Sequence, residues 1–194
     1  KNFLLFAVLV SLPLHGADLS DLIYATTDGK VTITYCDRGA SGELVIPDTI
    51  EGKSVTSIEL GAFLLCSRLT SITLPDSVTS IEGLTFRSCT SLTSITIGDS
   101  VTSIGGNAFS DCTKLTSITL PDSVTSIESS AFRGCSSLTS ITIPDGVTRI
   151  SLSAFNECSS LTSITLPDSV TSIAQRAFSG CRSLTAITIP DSVI

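Results

Sequence analysis

A 23-residue repeat runs through most of this chain and limits the folds that are open to it. Leucine, phenylalanine and cysteine each recur at intervals of 23 residues over six units. A unit this short cannot bury its own apolar side, so copies must stack, and a fixed period of roughly 20–50 residues is typical of a solenoid. The marking residues are Leu69, Leu92, Leu115, Leu138, Leu161 and Leu184; Phe63, Phe86, Phe109, Phe132, Phe155 and Phe178; and Cys66, Cys89, Cys112, Cys135, Cys158 and Cys181.

The first third of each unit predicts a short strand. In the unit at 115–137, Ile118 and Leu120 point inward while Ser117 and Thr119 point outward, because side chains alternate along a strand. Pro121 ends the strand, and the Asp-Ser pair after it is typical of a turn. Stacked copies would place like strands about 4.8 Å apart in parallel ladders.

The rest of the unit supplies two further inward sets. Val124 and Ile127 indicate a second short strand, and Ala131, Phe132 and Cys135 share one face of a single helical turn. We therefore predict a β-rich solenoid with short parallel strands and one helical turn per repeat. The solenoid occupies 59–194, in about six repeats, and its C-terminal end is open.

Residues 18–58 do not follow the repeat and predict an N-terminal cap with a β-hairpin and a first partial coil. Asp28-Gly29 supplies the turn between two β-type runs. The segment 48–54 is an insertion within that first coil. An array needs a cap, because its first coil would otherwise expose an apolar end and an unpaired strand edge.

Residues 1–17 predict a secretory signal peptide. Lys1 precedes an apolar run from Phe3 to Leu14, and its 12 residues are too few to span a bilayer. The alternative is a buried N-terminal strand or helix. We expect a secreted or cell-surface protein with no transmembrane segment.

The full repeat pattern resembles a known family. The run L-x-x-I-x-[LI]-P-x-x-V-x-x-I-x-x-x-A-F-x-x-C is similar to the BspA-like class of leucine-rich repeat over about residues 22 to 194. Gly98, Thr85 and Ala186 are small departures from the pattern. The resemblance implies a right-handed leucine-rich-repeat coil and an exported or surface-attached microbial protein, often an adhesin.

Composition argues against catalysis and against nucleic acid. The only histidine, His15, lies in the predicted leader, so the mature chain lacks a histidine for acid–base chemistry or zinc binding, and no serine has a base to activate it. The net charge of -7 would repel nucleic acid phosphates. We expect no enzyme activity, no cofactor and no bound metal.

Two columns suggest chemistry but have simpler explanations. The six column cysteines could form disulfides in an exported protein, yet stacked copies send their side chains inward in parallel, so we favour a buried thiol ladder as a structural element. Cys36 stands outside the column without a partner.

The carboxylates repeating once per coil could bind calcium, but no second oxygen ligand repeats beside them, which favours turn capping. They are Asp76, Asp99, Asp122, Asp145, Asp168 and Asp191.

Two surfaces remain for a partner. The hydroxyl face is a candidate for a repetitive ligand such as a glycan polymer, or ice, although strand propensity alone explains hydroxyl residues on an exposed sheet. The variable face could recognise a protein through distinct side chains. The hydroxyl face comprises Ser71, Thr73, Ser94, Thr96, Ser117, Thr119, Ser140, Thr142, Ser163 and Thr165, and the variable face Arg87, Arg133, Glu157, Arg176 and Arg182.

The sequence as a whole predicts an exported, non-enzymatic repeat protein that mediates adhesion or another protein or glycan contact. Two alternatives stay open. One is a structural spacer or stalk from a longer surface protein. The other is a plate for a repetitive polymer or ice, which would use the hydroxyl face.

Overall fold

The computed structural model describes residues 16–194, and the predicted leader therefore lies outside the described residues except for Gly16 and Ala17. The described chain begins with a one-turn 3-10 helix, Leu19–Asp21. Asp18 caps it by accepting a hydrogen bond from the Ser20 backbone N–H at 2.7 Å. Asp21 returns the contact by accepting from the Asp18 N–H at 3.0 Å, so the two acidic side chains form a capping box.

Residues 18–58, for which the sequence predicts an N-terminal cap, contain two hairpins. Strand β1 (Leu22–Thr27) pairs antiparallel with β2 (Lys30–Cys36), and β4 (Thr49–Ile50) pairs antiparallel with β5 (Lys53–Ile58). Their turns are Asp28-Gly29 and Glu51-Gly52, in which all four residues have positive φ, as a tight hairpin requires. Strands β2 and β5 run parallel to each other, which joins the hairpins into one sheet of order β1-β2-β5-β4. The insertion at 48–54 is thus the second hairpin.

The first strand of each unit builds one parallel ladder. It begins with β3 (Ser41–Val45) and β6 (Arg68–Thr73), continues through β8 (Ser94–Thr96), and resumes in β11 (Ser140–Thr142) and β13 (Ser163–Thr165). Between β8 and β11 the unit at 115–137 contributes a single bridge from Ser117 to Ser140. From β6 onward like positions pair, because these repeats have no insertions, whereas the register of β3 on β6 shifts by one residue between Gly42 and Glu43.

The second inward pair of each unit builds a second ladder of two-residue strands. These are β7 (Ser80–Ile81), β9 (Ser103–Ile104), β10 (Ser126–Ile127), β12 (Arg149–Ile150) and β14 (Ser172–Ile173). The first three pair in parallel, and so do the last two, while the ladder is interrupted between β10 and β12. The chain is therefore a β-solenoid of about six coils of parallel strands, as predicted.

The return segment of each coil is a series of turns rather than a regular helix. In the unit at 115–137, the N–H groups of Ala131 and Cys135 donate to the carbonyl groups three residues earlier, at 3.2 Å in both cases. Two positions per return have left-handed backbone. One of these positions holds Gly61, Leu84, Asn107, Ser130, Ser153 and Arg176; the other holds Leu65, Ser88, Asp111, Gly134, Glu157 and Gly180. Each glycine in the second set therefore occupies a conformation that four other residue types also adopt there.

The interior is a set of aligned apolar columns. The leucine, isoleucine, valine, phenylalanine and cysteine columns are buried from the first coil to the fifth. Neighbouring phenylalanine rings stack with centroids 5.2–5.6 Å apart. In the sixth coil Phe178, Cys181 and Leu184 are only half-buried, since no later coil of the described chain packs on them. Among residues 16–194, no helix has the length and apolar character of a membrane span.

Close coil-to-coil packing predicts a difference between two adjacent glycines. A Cβ on Gly105 would lie 2.5 Å from the Gly83 backbone N and 2.7 Å from the Glu82 carbonyl carbon, whereas one on Gly106 would lie 3.5 Å from its nearest neighbour. We expect Gly105→Ala to lower the free energy of unfolding by about 1–3 kcal/mol through overpacking. Gly106→Ala should change it by less than about 0.5 kcal/mol. Urea denaturation of both variants measures the difference, and equal effects would contradict the packing argument.

Candidate functional site

The hydroxyl face is a flat surface of aligned side chains. Ser71 and Thr73 pair in register with Ser94 and Thr96, and the β11 and β13 rungs pair in the same way. From β8 onward the hydroxyl residues on this face are exposed, and those of β6 are half-exposed. In the last coil, Ala186 and Thr188 continue the two columns without forming a strand. The structure thus brings together every residue that the sequence assigns to this face.

The ten side chains of the hydroxyl face form no hydrogen bonds within residues 16–194, which sets them apart from a neighbouring column. Thr93, Thr116, Thr139 and Thr162 are exposed beside them, but each donates its hydroxyl to the threonine carbonyl one coil earlier, at 2.9–3.4 Å. The hydroxyls of that column therefore link successive coils. The hydroxyl face keeps its donors and acceptors free for solvent or a ligand.

A second bonded threonine column lies at the other ladder. Thr102, Thr125 and Thr171 donate their hydroxyls to the threonine carbonyl one coil earlier, at 3.2–3.3 Å. Spacing alone does not separate bonded from free hydroxyls, because every column repeats with the same period. The distinction depends on how far each side chain lies from the carbonyl below it.

The variable face is exposed, and two of its five residues are engaged. Arg87 Nε lies 4.0 Å from a carboxylate oxygen of Asp111, with both side chains more than two-fifths exposed, so the pair contributes little stability. Arg133 Nε donates to Asn156 Oδ1 at 3.3 Å. Asn156 in turn donates its amide to the Ser179 carbonyl at 2.9 Å, which links three coils along this surface.

The other three residues of the variable face are Glu157, Arg176 and Arg182. All are exposed, and within the described chain their side chains form neither a hydrogen bond nor an ion pair. They lie in the last two coils of the array. Arg176 and Glu157 occupy the two left-handed positions of the return, a backbone feature that the repeat pattern does not indicate.

The aspartate column follows the prolines at the turns and is exposed along its whole length. Its carboxylates accept no hydrogen bond in residues 16–194, so they do not cap the turns. The serine that follows instead bonds the turn to the preceding coil: Ser77, Ser123, Ser169 and Ser192 donate to a valine carbonyl of that coil at 2.6–2.8 Å. No group of three or more histidine, cysteine or acidic side chains in the described chain is arranged to hold a metal ion.

A shallow polar groove of about 390 Å³ lies where the second ladder is interrupted. Glu128 and Arg149 line it, together with hydroxyl residues of the two flanking coils. Arg149 is the one member of its column that is not serine among Ser80, Ser103, Ser126 and Ser172. That break in the column was available in the sequence, but its link to a groove was not.

The cysteine column is buried and bonded. Each thiol from Cys89 to Cys181 donates to the phenylalanine carbonyl 26 residues earlier, at 3.1–3.2 Å. All seven cysteines, Cys36 included, are free thiols in this structure, and only Cys181 is less than fully buried. Burial raises the pKa of Cys112 and Cys158 to about 12 and raises the pKa of Cys89 and Cys135 as well. Their chemistry at neutral pH is that of small apolar groups.

Cys36 and Cys66 depart from this pattern. The sequence leaves Cys36 without a partner, but the structure places its thiol and the Cys66 thiol at one backbone oxygen, the Asp37 carbonyl, at 3.6 and 3.8 Å. Interaction with the Cys66 thiol and burial raise the pKa of Cys36, and the same interaction lowers the pKa of Cys66. Cys66 has no phenylalanine carbonyl beneath it and lies instead 3.7 Å from the carbonyl oxygen of Cys36.

Parallel strand ladders, aligned apolar columns and short returns define this molecule as a leucine-rich-repeat β-solenoid. The BspA type leucine rich repeat region matches it in six copies, over residues 43–159 and 84–194, and the chain belongs to this family. No curated protein matches the chain.

Solved bacterial structures share the fold. A leucine rich cell surface protein from Faecalibacterium prausnitzii is 39% identical, with a TM-score of 0.77, over 89% of this chain and 48% of that one. The Treponema pallidum leucine rich repeat protein is 27% identical, with a TM-score of 0.70, over 88% and 91%. A Bacteroides ovatus leucine-rich repeat protein is 29% identical, with a TM-score of 0.68, over 89% and 53%. The chain spans about half the length of the first and third.

Proposed function

We propose that this chain is an exported, non-enzymatic contact module of the cell surface, and that its hydroxyl face binds a polyhydroxylated polymer such as a glycan. One observation carries the proposal: the ten hydroxyl side chains of this face are exposed or half-exposed, lie at like positions of successive coils, and form no hydrogen bonds within residues 16–194. The threonine hydroxyls of the neighbouring column, by contrast, donate to backbone carbonyl groups of the preceding coil. The F. prausnitzii relative, described as a cell surface protein, supports the location.

The chemistry of the face suits a repetitive ligand. Each hydroxyl both donates and accepts, and like positions recur about 4.8 Å apart along the array. Single hydroxyl contacts are weak, so affinity would come from many equivalent contacts along one chain. The face carries no charge of its own, which favours a neutral polymer over a charged one.

The proposal is tested with the full chain on a glycan array, using a variant of the face and a matched variant of the opposite surface. We expect the double variant Thr119→Lys/Thr142→Lys to weaken binding at least about tenfold, because two long charged side chains block adjacent rungs. The control Arg176→Glu/Arg182→Glu should bind glycan as the unchanged chain does. Thermal denaturation checks that both variants fold.

The same pair of variants separates the alternatives. Loss of binding in the arginine variant alone, in a pull-down with a protein ligand, would favour a protein partner on the variable face, for which the unpaired Glu157, Arg176 and Arg182 are the supporting observation. Ice-growth inhibition that the threonine variant abolishes would favour an ice-binding plate. Absence of any ligand for the unchanged chain would favour a structural spacer and overturn the proposal.

A further inference from the structure

The junction between the N-terminal cap and the first repeat coil brings two cysteines from different elements together. Cys36 ends strand β2 of the cap, and Cys66 lies in the return of the first coil. The Cys36 backbone N–H donates to the Ala62 carbonyl at 2.8 Å, which docks the end of β2 on the segment that carries Cys66. Both side chains are almost completely buried.

The hydrogen-bond acceptors of these two thiols differ from those of the thiols within the cysteine column. In the column, successive side chains are parallel copies, and each thiol is directed to a backbone carbonyl of the coil before it. At the junction no copy of the return lies beneath Cys66. Its nearest acceptors are the carbonyl groups of Cys36 and Asp37, at the long distances of 3.7 and 3.8 Å, and the Cys36 thiol is directed at the same Asp37 carbonyl oxygen, at 3.6 Å.

We propose that Cys36 and Cys66 form a disulfide that ties the cap to the repeat array. Two buried thiols directed at one carbonyl oxygen lie close enough to be bridged with little backbone movement, whereas the parallel column thiols are each directed at a different carbonyl. The bond would close a chain segment of 30 residues and so restrict the unfolded state. It would hold the cap over the apolar end of the first coil, where an array frays. This proposal does not depend on the ligand of the hydroxyl face.

The oxidant is a disulfide, of the small-molecule or protein kind that oxidising compartments supply. The Cys66 thiol loses its proton to solvent, and the thiolate attacks one sulfur of the oxidant, releasing one thiolate and leaving a mixed disulfide. The Cys36 thiolate then attacks the Cys66 sulfur and releases the second thiolate. The two protein thiols lose two electrons and two protons, and the oxidant gains them as two thiols. Both sulfurs are buried in the folded chain, so the exchange takes place during folding.

The test is a disulfide map of the full chain refolded with oxidised and reduced glutathione. Trypsin cuts after Lys30, Arg38, Lys53 and Arg68, so the two cysteines fall in separate peptides, 31–38 and 54–68. We expect these peptides to be joined without reductant, and five of the seven thiols to react with a thiol reagent in denaturant. Seven reactive thiols, or bonds between column cysteines instead, would overturn the proposal.

Matched variants add a readout of stability. Reductant should lower the melting temperature of the refolded chain by about 5–10 °C. This is the effect expected when a domain of this size loses a disulfide that closes a loop of this length. Cys112→Ala, which removes a column thiol, should keep the linked peptides and the response to reductant. Cys36→Ala should lose both. If Cys36→Ala does not fold, the peptide map of the unchanged chain still decides the question.

Discussion

Replacing Phe109 by alanine is expected to lower the free energy of unfolding by about 3–5 kcal/mol, because the substitution leaves a ring-sized cavity in a core that cannot collapse around it. The Phe109 ring is completely buried and stacks on Phe86 and Phe132, with centroids 5.3 Å away on both sides. A solenoid coil contacts only its neighbours, so damage in the third coil also weakens the coupling between the two halves of the array. Chemical denaturation should show a lower midpoint and a broader transition.

The matched control is Phe178→Ala in the last coil. That ring is half-buried and stacks on one neighbour only, Phe155, at 5.6 Å. We therefore expect less than half the loss seen for Phe109→Ala, and no loss of cooperativity in the remaining coils. Equal destabilisation by the two variants would mean that the stack does not act through neighbour contacts.

Alkaline pH is expected to destabilise the chain through its buried thiols. The ordinary thiol pKa of 9.0 applies to the unfolded chain, while in the folded chain burial raises the pKa of Cys112 and Cys158 to about 12 and also raises it for Cys89 and Cys135. Between these values the unfolded state binds fewer protons than the folded state. Stability is thus complete below pH 9 and falls as the pH rises towards 12.

The loss is about 1.4 kcal/mol per buried thiol at pH 10, or on the order of 5 kcal/mol for the four together. Urea denaturation in reductant at pH 8, 9 and 10 measures it. Tyrosine and lysine titrate in the same range, so the control is Cys135→Ala. In that variant the free energy of unfolding should fall less between pH 9 and 10, by the contribution of one buried thiol. An unchanged slope in that variant would show that the column thiols do not carry the effect.

Much of the architecture follows from the repeat alone. The positions that recur every 23 residues predicted the coil number, the inward columns and the register, and Asp28-Gly29 marked the turn at which the first hairpin of the cap forms. These features are local or follow from a period with no insertions, so one sequence is enough to predict them. The expected helical turn per repeat proved to be a series of turns, because two left-handed residues in each return interrupt the right-handed backbone that a regular helix needs.

The candidate site was predictable in its membership but not in its chemistry. The sequence assigned the hydroxyl face and the variable face, and the structure places the residues of both at the surface. Which hydroxyls remain free, and which charges are paired, depends on contacts between coils. All the columns share one period, so the repeat pattern does not show which of their side chains form these contacts.

The sequence by itself determined that this chain stacks six like coils, that its apolar columns form one continuous interior, and that uniform and varied surfaces lie on different sides. Period and polarity are sufficient for that, since stacking is the only way such a unit buries its apolar face. Only the tertiary structure decided that serine rather than aspartate bonds the turns to the preceding coil, that the second ladder is interrupted beside Arg149, and that the Cys36 and Cys66 thiols lie at one carbonyl oxygen. Each of these depends on distances between segments, and the sequence does not indicate that those segments lie close together.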